Sequence, residues 1–364
     1  MSYPTTIQAL GSSDPVHWSQ AEPIKYEPKP FMDNDVMIKI HACGVCGTDV
    51  HTLQCVWGPH RDASVVVGHE IVGEAIRIGS NVTHITVGQI VGLGPVSNSC
   101  GECELCLSDR EQYCVRAVFT YDDVDFETGS VTKGGFASHV TANQRFVIPI
   151  PKHLPEEYAG PLMCAGLTVF SPLYKKLNGK KGQTVGIVGI GGLGHLGLKF
   201  AKALGAHVVA ISRTLAKKHE ALTQLGADDF VATEDDPEWA NKYSHKLDMV
   251  LYCGASMDNL DLNAYLRAIR PGGQWVTVGV PNGSTMVPLH ASGIVSNDVA
   301  IKGSKSGSGT EAVKMLKMAA DHQIYPIIEK LPMSVKNYTE AMERLGKYDV
   351  KYRFVLTGID QYFQ

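Results

Sequence analysis

One stretch limits the fold of this chain more than any other. Residues 183–197 read Gln-Thr-Val-Gly-Ile-Val-Gly-Ile-Gly-Gly-Leu-Gly-His-Leu-Gly. An apolar run is followed by a glycine-rich turn and then by a segment whose apolar face is Leu193, Leu196, Phe200 and Leu204. That order is strand, turn, helix. Gly189 permits the tight turn, Gly191 lets a pyrophosphate approach the backbone, and Gly194 lets the helix pack closely on the strand. Gly192 and Leu193 complete the turn. The helix start offers free N–H groups and a partial positive charge to phosphate. This is a dinucleotide-binding fingerprint in its proper setting.

The surrounding pattern agrees. Strands are predicted at Thr184–Val188, His207–Ile211, Phe230–Ala232, Asp248–Cys253, Gln274–Val280 and Val299–Lys302. Helices are predicted at Gly192–Leu204, Leu215–Leu225, Pro237–Tyr243 and Met257–Ala268. Such alternation predicts an α/β unit with a six-stranded, parallel, doubly wound sheet. The second strand indicates which dinucleotide binds. An acidic residue near its end would hold the ribose 2′-hydroxyl of NAD. Here the strand runs into Ser212-Arg213-Thr214, with Lys217 beyond. Donors and positive charge suit a 2′-phosphate, so the expected cofactor is NADP(H).

The first 150 residues or so are different. Val36, Ile38 and Ile40 alternate with polar residues, the period of a half-buried strand. Short apolar runs at Val65–Val67, Ile71–Ile78 and Ile85–Val91 predict a small barrel-like β unit with long loops. Pro149, Pro151 and Pro155 mark its end, and a helical stretch follows through Leu162–Leu173. After Gly303 come two amphipathic helices, the first with a face of Ala312, Leu316, Ala319 and Ala320. A last strand, Tyr352–Leu356, is expected to return to the N-terminal unit. The domains expected are 1–155 with 304–364, and 156–303.

The 364 residues carry a formal charge of −4, which argues against a nucleic-acid partner. The start, MSYPTTIQAL, lacks the basic and apolar regions of a secretory leader. No stretch is long and apolar enough for a membrane span, and a cytoplasmic location is expected. Nine cysteines, an odd number, fit metal or catalytic use better than a disulfide framework.

Four of them, Cys100, Cys103, Cys106 and Cys114, lie within 15 residues. A loop so spaced wraps one ion, and four thiolates suit structural zinc; an Fe–S cluster takes the same donors. The acidic Glu102, Glu104, Asp109 and Glu111 within this lobe oppose a nucleic-acid role. A second, dispersed set comprises Cys46 in Gly-Val-Cys-Gly-Thr-Asp-Val-His51, His69 and Glu70 in Gly-His-Glu, and Cys164 in Leu-Met-Cys-Ala-Gly. Two sulfurs and one imidazole leave a fourth position for water, substrate or Glu70, the donor pattern of a catalytic zinc.

With these motifs, and with Gly134-Gly-Phe-Ala137, the sequence resembles the zinc-dependent medium-chain alcohol dehydrogenases over nearly its whole length. Within that superfamily it is similar to the cinnamyl alcohol dehydrogenase family, and to its NADPH-dependent fungal members. The resemblance implies a GroES-like catalytic domain, with a structural-zinc lobe at about 95–118, interrupted by a Rossmann domain. It also implies an active-site cleft between the domains, two zinc ions per chain and a homodimer joined through the Rossmann sheets. Cys46, His69 and Cys164 match the catalytic zinc ligands, and Glu70 matches a glutamate able to enter the ligand shell. Thr48 matches the hydroxyl beside the metal, and His51 the residue that passes the proton onward through the cofactor ribose. Trp57 and Phe119 fall where the family lines its pocket with aromatic rings, with Leu93–Ser97 and Met286–Ile294 as further walls. Gly47 departs from members that carry a basic residue for the pyrophosphate. The implied activity is hydride transfer between NADP(H) and a medium-chain or aromatic aldehyde or alcohol. A polyol dehydrogenase, a reductase of an imine or activated alkene, and a zinc-stabilised binding protein are the alternatives.

Overall fold

The computed structural model describes residues 3–258, 260–279 and 286–364. The chain forms two compact units, Met1–Cys164 with Ser308–Gln364, and Ala165–Gly307. The divisions fall a little C-terminal of the expected boundaries. Helix Glu156–Pro161 packs on strands Asp35–Val45 and Glu70–Ile78 and so stays with the first unit.

The first unit is built on strand Asp35–Val45. This strand is long enough to pair with three others, Glu70–Ile78, His139–Asn143 and Arg353–Thr357, all antiparallel. The sheet continues to Ile90–Leu93 and Val147–Pro149 on one side and Ile328–Pro332 on the other. Val36, Ile38, Ile40, Cys43 and Val45 enter one core with Phe136, Tyr338 and Phe354. The expected last strand is Arg353–Thr357, with Phe354 opposite Val45. Gly44 also lies opposite Glu70 on the other neighbour. The register therefore carries the tail of the chain to the loop that bears Cys46.

Some expected elements differ. Val65–Val67 is buried but is not a named strand: Val65 bridges Ser12, and the Val66 and Val67 carbonyls accept from the Gly134 and Phe136 N–H groups. The expected strand Ile85–Val91 shrinks to Ile90–Leu93. Leu162–Leu173 is not one regular helix. A π-turn at Leu162–Gly166 separates helix Glu156–Pro161 from Leu167–Leu177. In helix Gly309–Asp321 the buried face includes Ala312, Leu316 and Ala319 as expected, but Met315 rather than Ala320 completes it.

In the second unit the six strands are all parallel. Their spatial order is Asp229–Ala232, His207–Ser212, Thr184–Val188, Leu247–Tyr252, Ile269–Thr277 and Ala300–Gly303. Read by chain order this is 3-2-1-4-5-6, the dinucleotide-binding arrangement. The fifth strand starts earlier than expected and ends at Thr277; Val280 lies outside the described residues. Helices are shorter than the periodicity predicts, at Gly194–Ala203, Lys218–Thr223, Trp239–Lys242 and Leu262–Ala268. Among the described residues no helix is long and apolar enough to cross a membrane.

The paired strands also place one histidine where pH acts on stability. His139 lies opposite Lys39. Burial, aided by the charge of Lys39, pushes its imidazole down to about 4. The unfolded chain titrates near ~6.5 and takes up the proton first. The neutral ring's contribution is therefore full above that value and is lost as pH falls toward 4. Lowering the pH from about 7 to about 4.5 should reduce the urea midpoint less in His139→Gln than in the wild type.

Candidate active site and metal centres

Helix Gly47–Leu53 begins directly after the central strand of the first unit, with Cys46 as its N-cap. Its third residue is Asp49, which is fully buried. One Asp49 oxygen accepts from the Cys46 backbone N–H at 2.8 Å. The other accepts from the Gly68 N–H at 3.2 Å and from the Tyr121 hydroxyl at 2.7 Å. That same oxygen lies 3.4 Å from His69 Nδ1, and Tyr121 Oη is 3.0 Å from the same nitrogen. His69 Nε2 consequently faces inward, 3.2 Å from Cys164 Sγ. Cys164 arrives from the π-turn, whose extra residue per turn interrupts the regular helix at this point.

Cys46, His69, Glu70 and Cys164 each present a donor atom, all within 4.8 Å of one another. The site is electrostatically primed. Burial opposes charge on His69, yet Asp49 and the Cys46 sulfur lift it to about 9. Cys46 is held well below the ordinary thiol range by a hydrogen bond from Cys164, then by the charge of His69; Cys164 is raised in turn. A divalent ion held by these residues would take the place of those shared protons, because thiolate and neutral imidazole are the ligating forms.

Glu70 is fully buried and forms an ion pair with Arg353, which is also buried. Burial raises its carboxyl to about 7 against the pull of Arg353. Its second oxygen, Oε2, has no hydrogen-bond partner among the described residues. A side chain at Gly44 would collide with this oxygen at 2.1 Å, so glycine there makes room for it. An unpartnered buried carboxylate oxygen beside two thiols and an imidazole suits a metal ion.

Thr48 and His51 lie three residues apart on the helix and share a face. His51 is half-buried, and burial lowers its pKa. The Trp57 ring meets it edge-on, with centroids 5.3 Å apart. Phe119 lies on the short strand Val118–Phe119; it and Trp57 are each about half exposed.

The four-cysteine lobe is closed. Cys100 and Cys106 sulfurs are 3.8 Å apart, Cys103 and Cys114 3.8 Å, and Cys114 and Cys100 3.5 Å. A tetrahedron with metal–sulfur bonds of about 2.3 Å has edges of roughly 3.8 Å. These separations exceed a disulfide bond by far, and they would fit one ion rather than a cluster of several irons. Backbone N–H groups of Cys103 and Arg116 donate to the Cys100 and Cys114 sulfurs. Arg145 fastens the loop through the Cys106 carbonyl at 3.1 Å.

In the second unit the fingerprint takes its expected form. Gly189 has φ +86°, a conformation that favours glycine. A Cβ on Gly194 would sit 1.9 Å from the Gly189 carbonyl oxygen, so the helix cannot approach with any larger residue. A Cβ on Gly191 would meet nothing within 4 Å, which leaves its face open to a ligand. Ser212 ends the second strand, Arg213 is exposed beside it, and the Lys217 ammonium donates to the Ile190 carbonyl in the glycine turn.

Two family models match in chain order. Residues 32–152 match the alcohol dehydrogenase GroES-like domain and residues 192–321 the zinc-binding dehydrogenase domain. The chain is 40% identical to NADP-dependent alcohol dehydrogenase 6 of Saccharomyces cerevisiae, covering all of this chain and 99% of that protein. The structure of a cinnamyl alcohol dehydrogenase from Sorghum bicolor superposes with a TM-score of 0.89 at 36% identity, covering 97% of this chain and 98% of that one. The chain belongs to the zinc-dependent medium-chain alcohol dehydrogenases, in the cinnamyl alcohol dehydrogenase family. A Helicobacter pylori member solved with NADP(H) superposes at TM-score 0.85, with 29% identity and 97% and 98% coverage. As a member of this family the protein is a zinc-binding oxidoreductase acting on CH–OH groups.

Reading the sequence missed Asp49, Tyr121 and Arg353 as parts of the site. Asp49 stood inside the motif that carries Cys46, and only its burial marks it. Arg353 is a basic residue at the start of an apolar strand, which was the available signal. Replacing Asp49 by alanine should weaken the dispersed metal site about 10- to 100-fold and spare the four-cysteine site. Zinc per chain after dialysis against a mild chelator should fall from two to one.

Proposed function

We propose that this protein is an NADP(H)-dependent zinc alcohol dehydrogenase that works chiefly as a reductase of medium-chain or aromatic, cinnamyl-type aldehydes. The observation that carries this reading is the open donor set. Cys46, His69 and Cys164 supply three ligands, while Glu70 is held on Arg353 as a fourth that can be released. Three protein ligands and one open position are what a catalytic zinc requires, and four thiolates are what a structural zinc requires. We assign two zinc ions per chain accordingly: Cys46, His69 and Cys164 hold the first, and Cys100, Cys103, Cys106 and Cys114 the second.

The bound metal would supply Lewis-acid polarisation of the substrate oxygen, and the nicotinamide would supply the hydride. The protein's part is to handle the proton and orient the reactants. A threonine hydroxyl both donates and accepts, so Thr48 delivers a proton to the nascent alcohol and takes it back in oxidation. His51 resupplies Thr48 in reduction; burial lowers its pKa and so favours the neutral ring, which accepts the proton in oxidation. Trp57 and Phe119 offer ring faces to an apolar substrate.

Gly189, Gly191, Gly192, Leu193 and Gly194 cradle the pyrophosphate. Ser212, Arg213 and Lys217 take the 2′-phosphate, supported by the placement of Lys217 against the glycine turn. With Gly47 in place of a basic residue, the pyrophosphate relies more on the glycine-rich turn. We take residues 1–155 and 304–364 as the catalytic domain and 156–303 as the nucleotide domain. The homodimer we propose joins through strand Ala300–Gly303, which forms the edge of its sheet with all four residues exposed. The location we propose is cytoplasmic.

The test is a screen of NADPH oxidation with cinnamaldehyde, benzaldehydes, aliphatic aldehydes, ketones and sugars. Aromatic or medium-chain aldehydes should give the highest kcat/KM, and a polyol or its keto form as best substrate would contradict the reading. Wild type should prefer NADPH over NADH, and Ser212→Asp/Arg213→Ile should reverse that preference. Cys164→Ser should abolish turnover while NADPH binding survives.

A further inference from the structure

The second unit carries a cavity of about 480 Å³ that hydride transfer does not use. Its lining includes Thr184, His207 and Asp229, which open three of the parallel strands. Lys246, just before the fourth strand, and Arg270, at the start of the fifth, also line it. The glycine turn follows the other end of Thr184–Val188. The cavity therefore lies on the opposite rim of the sheet from the nucleotide fingerprint.

Its charges are unbalanced. Asp229 lines the cavity but is occupied by the Tyr243 hydroxyl. Arg270 pairs with Asp248 at 3.1 Å, and Asp248 also accepts from the Thr184 N–H at 2.7 Å. The Arg270 Nε is buried without a hydrogen-bond partner. Lys242 pairs with Asp236 at 2.7 Å. Lys246 has no carboxylate partner among the described residues, and its ammonium lies 5.7 Å from the Tyr243 ring centre. Lys176 lies in the field of Lys180, Lys302 and Arg270: burial and then these charges lower its pKa, against the opposing charge of Asp248. Asp228, 3.8 Å from the lining His207, pairs with Lys202, so seven cations meet four carboxylates around this rim, each carboxylate already engaged.

Cations crowded without counter-charge repel one another, and an anion relieves that repulsion. Charge-assisted N–H···O bonds to phosphate are among the stronger polar contacts, and guanidinium and ammonium groups suit them. The volume falls in the range of small-molecule sites. We propose that this rim binds the phosphate group of a small phosphorylated metabolite. Free inorganic phosphate shares the recognised chemistry. The site stands on the second unit alone and does not depend on the substrate or on the catalytic metal.

Isothermal titration of the full-length enzyme, saturated with its nicotinamide nucleotide so that the glycine turn is filled, tests this. The probes are ribose 5-phosphate, inorganic phosphate and uncharged ribose, at constant ionic strength. Ribose 5-phosphate should bind once per chain and ribose not at all. Lys246→Gln, and separately Lys180→Gln/Lys302→Gln, should weaken binding by roughly fivefold or more without changing nucleotide affinity. Equal affinity for both phosphates would support phosphate recognition and identify the free ion as the source. Tighter binding of ribose 5-phosphate would support an organic ligand. Absence of binding by either phosphate, or binding that neither variant weakens, would overturn the proposal.

Discussion

Asp49 is the buried charge on which the dispersed metal site depends. A carboxylate removed from water is costly unless hydrogen bonds replace its hydration. Here they come from the Cys46 and Gly68 backbones and the Tyr121 hydroxyl. Each of these partners belongs to a segment that must be held in place. Cys46 is the residue before the helix, Gly68 precedes His69, and Tyr121 touches His69 Nδ1. One side chain thereby fixes the origin of two ligands and the orientation of the second. Such a network is worth more complete than the sum of its bonds, and losing its centre strands several donors at once.

The same unit brings in a second buried charge from the end of the chain. Arg353 reaches Glu70 because strand Arg353–Thr357 pairs with Asp35–Val45, which in turn pairs with the strand that Glu70 begins. A buried ion pair is weak evidence of stability, since desolvation offsets much of the attraction. Its chemical value is positional. Arg353 holds one Glu70 oxygen and leaves the other without a partner among the described residues, in a carboxylate that lies beside the cysteines and histidine. The tail of the chain is in this sense part of the site, although more than 180 residues separate it from Cys164.

How legible all this was in the sequence depended on whether a residue's role is local. The glycine turn was legible because steric demands act within a few residues: the open face at Gly191 and the collision at Gly194 follow from residues 189–194 alone. The four-cysteine loop was legible for the same reason. The open set was legible only in combination, since Cys46, His69 and Cys164 sit in three separate segments. Asp49, Tyr121 and Arg353 were not legible, because their roles arise from burial and strand register. Helix starts were placed too early, as at Leu215–Lys217, which forms a separate 3-10 turn, and at Met257, which precedes helix Leu262–Ala268. The run Val65–Val67 was read as a strand because it is apolar; it is buried, but its pairing is limited to the Val65–Ser12 bridge and single bonds from the Gly134 and Phe136 N–H groups.

The two donor sets contrast in a way that gives the protein its chemistry. One presents four sulfurs at the spacing of a closed tetrahedral site. The other offers two sulfurs and an imidazole, with a tethered carboxylate beside them. Crystallography of the purified enzyme with anomalous scattering across the zinc edge tests that contrast most directly. Two peaks per chain are predicted, one among Cys100, Cys103, Cys106 and Cys114, and one touching Cys46, His69 and Cys164 with a non-protein atom or Glu70 as fourth neighbour. A chain with no zinc among Cys46, His69 and Cys164 would contradict the account.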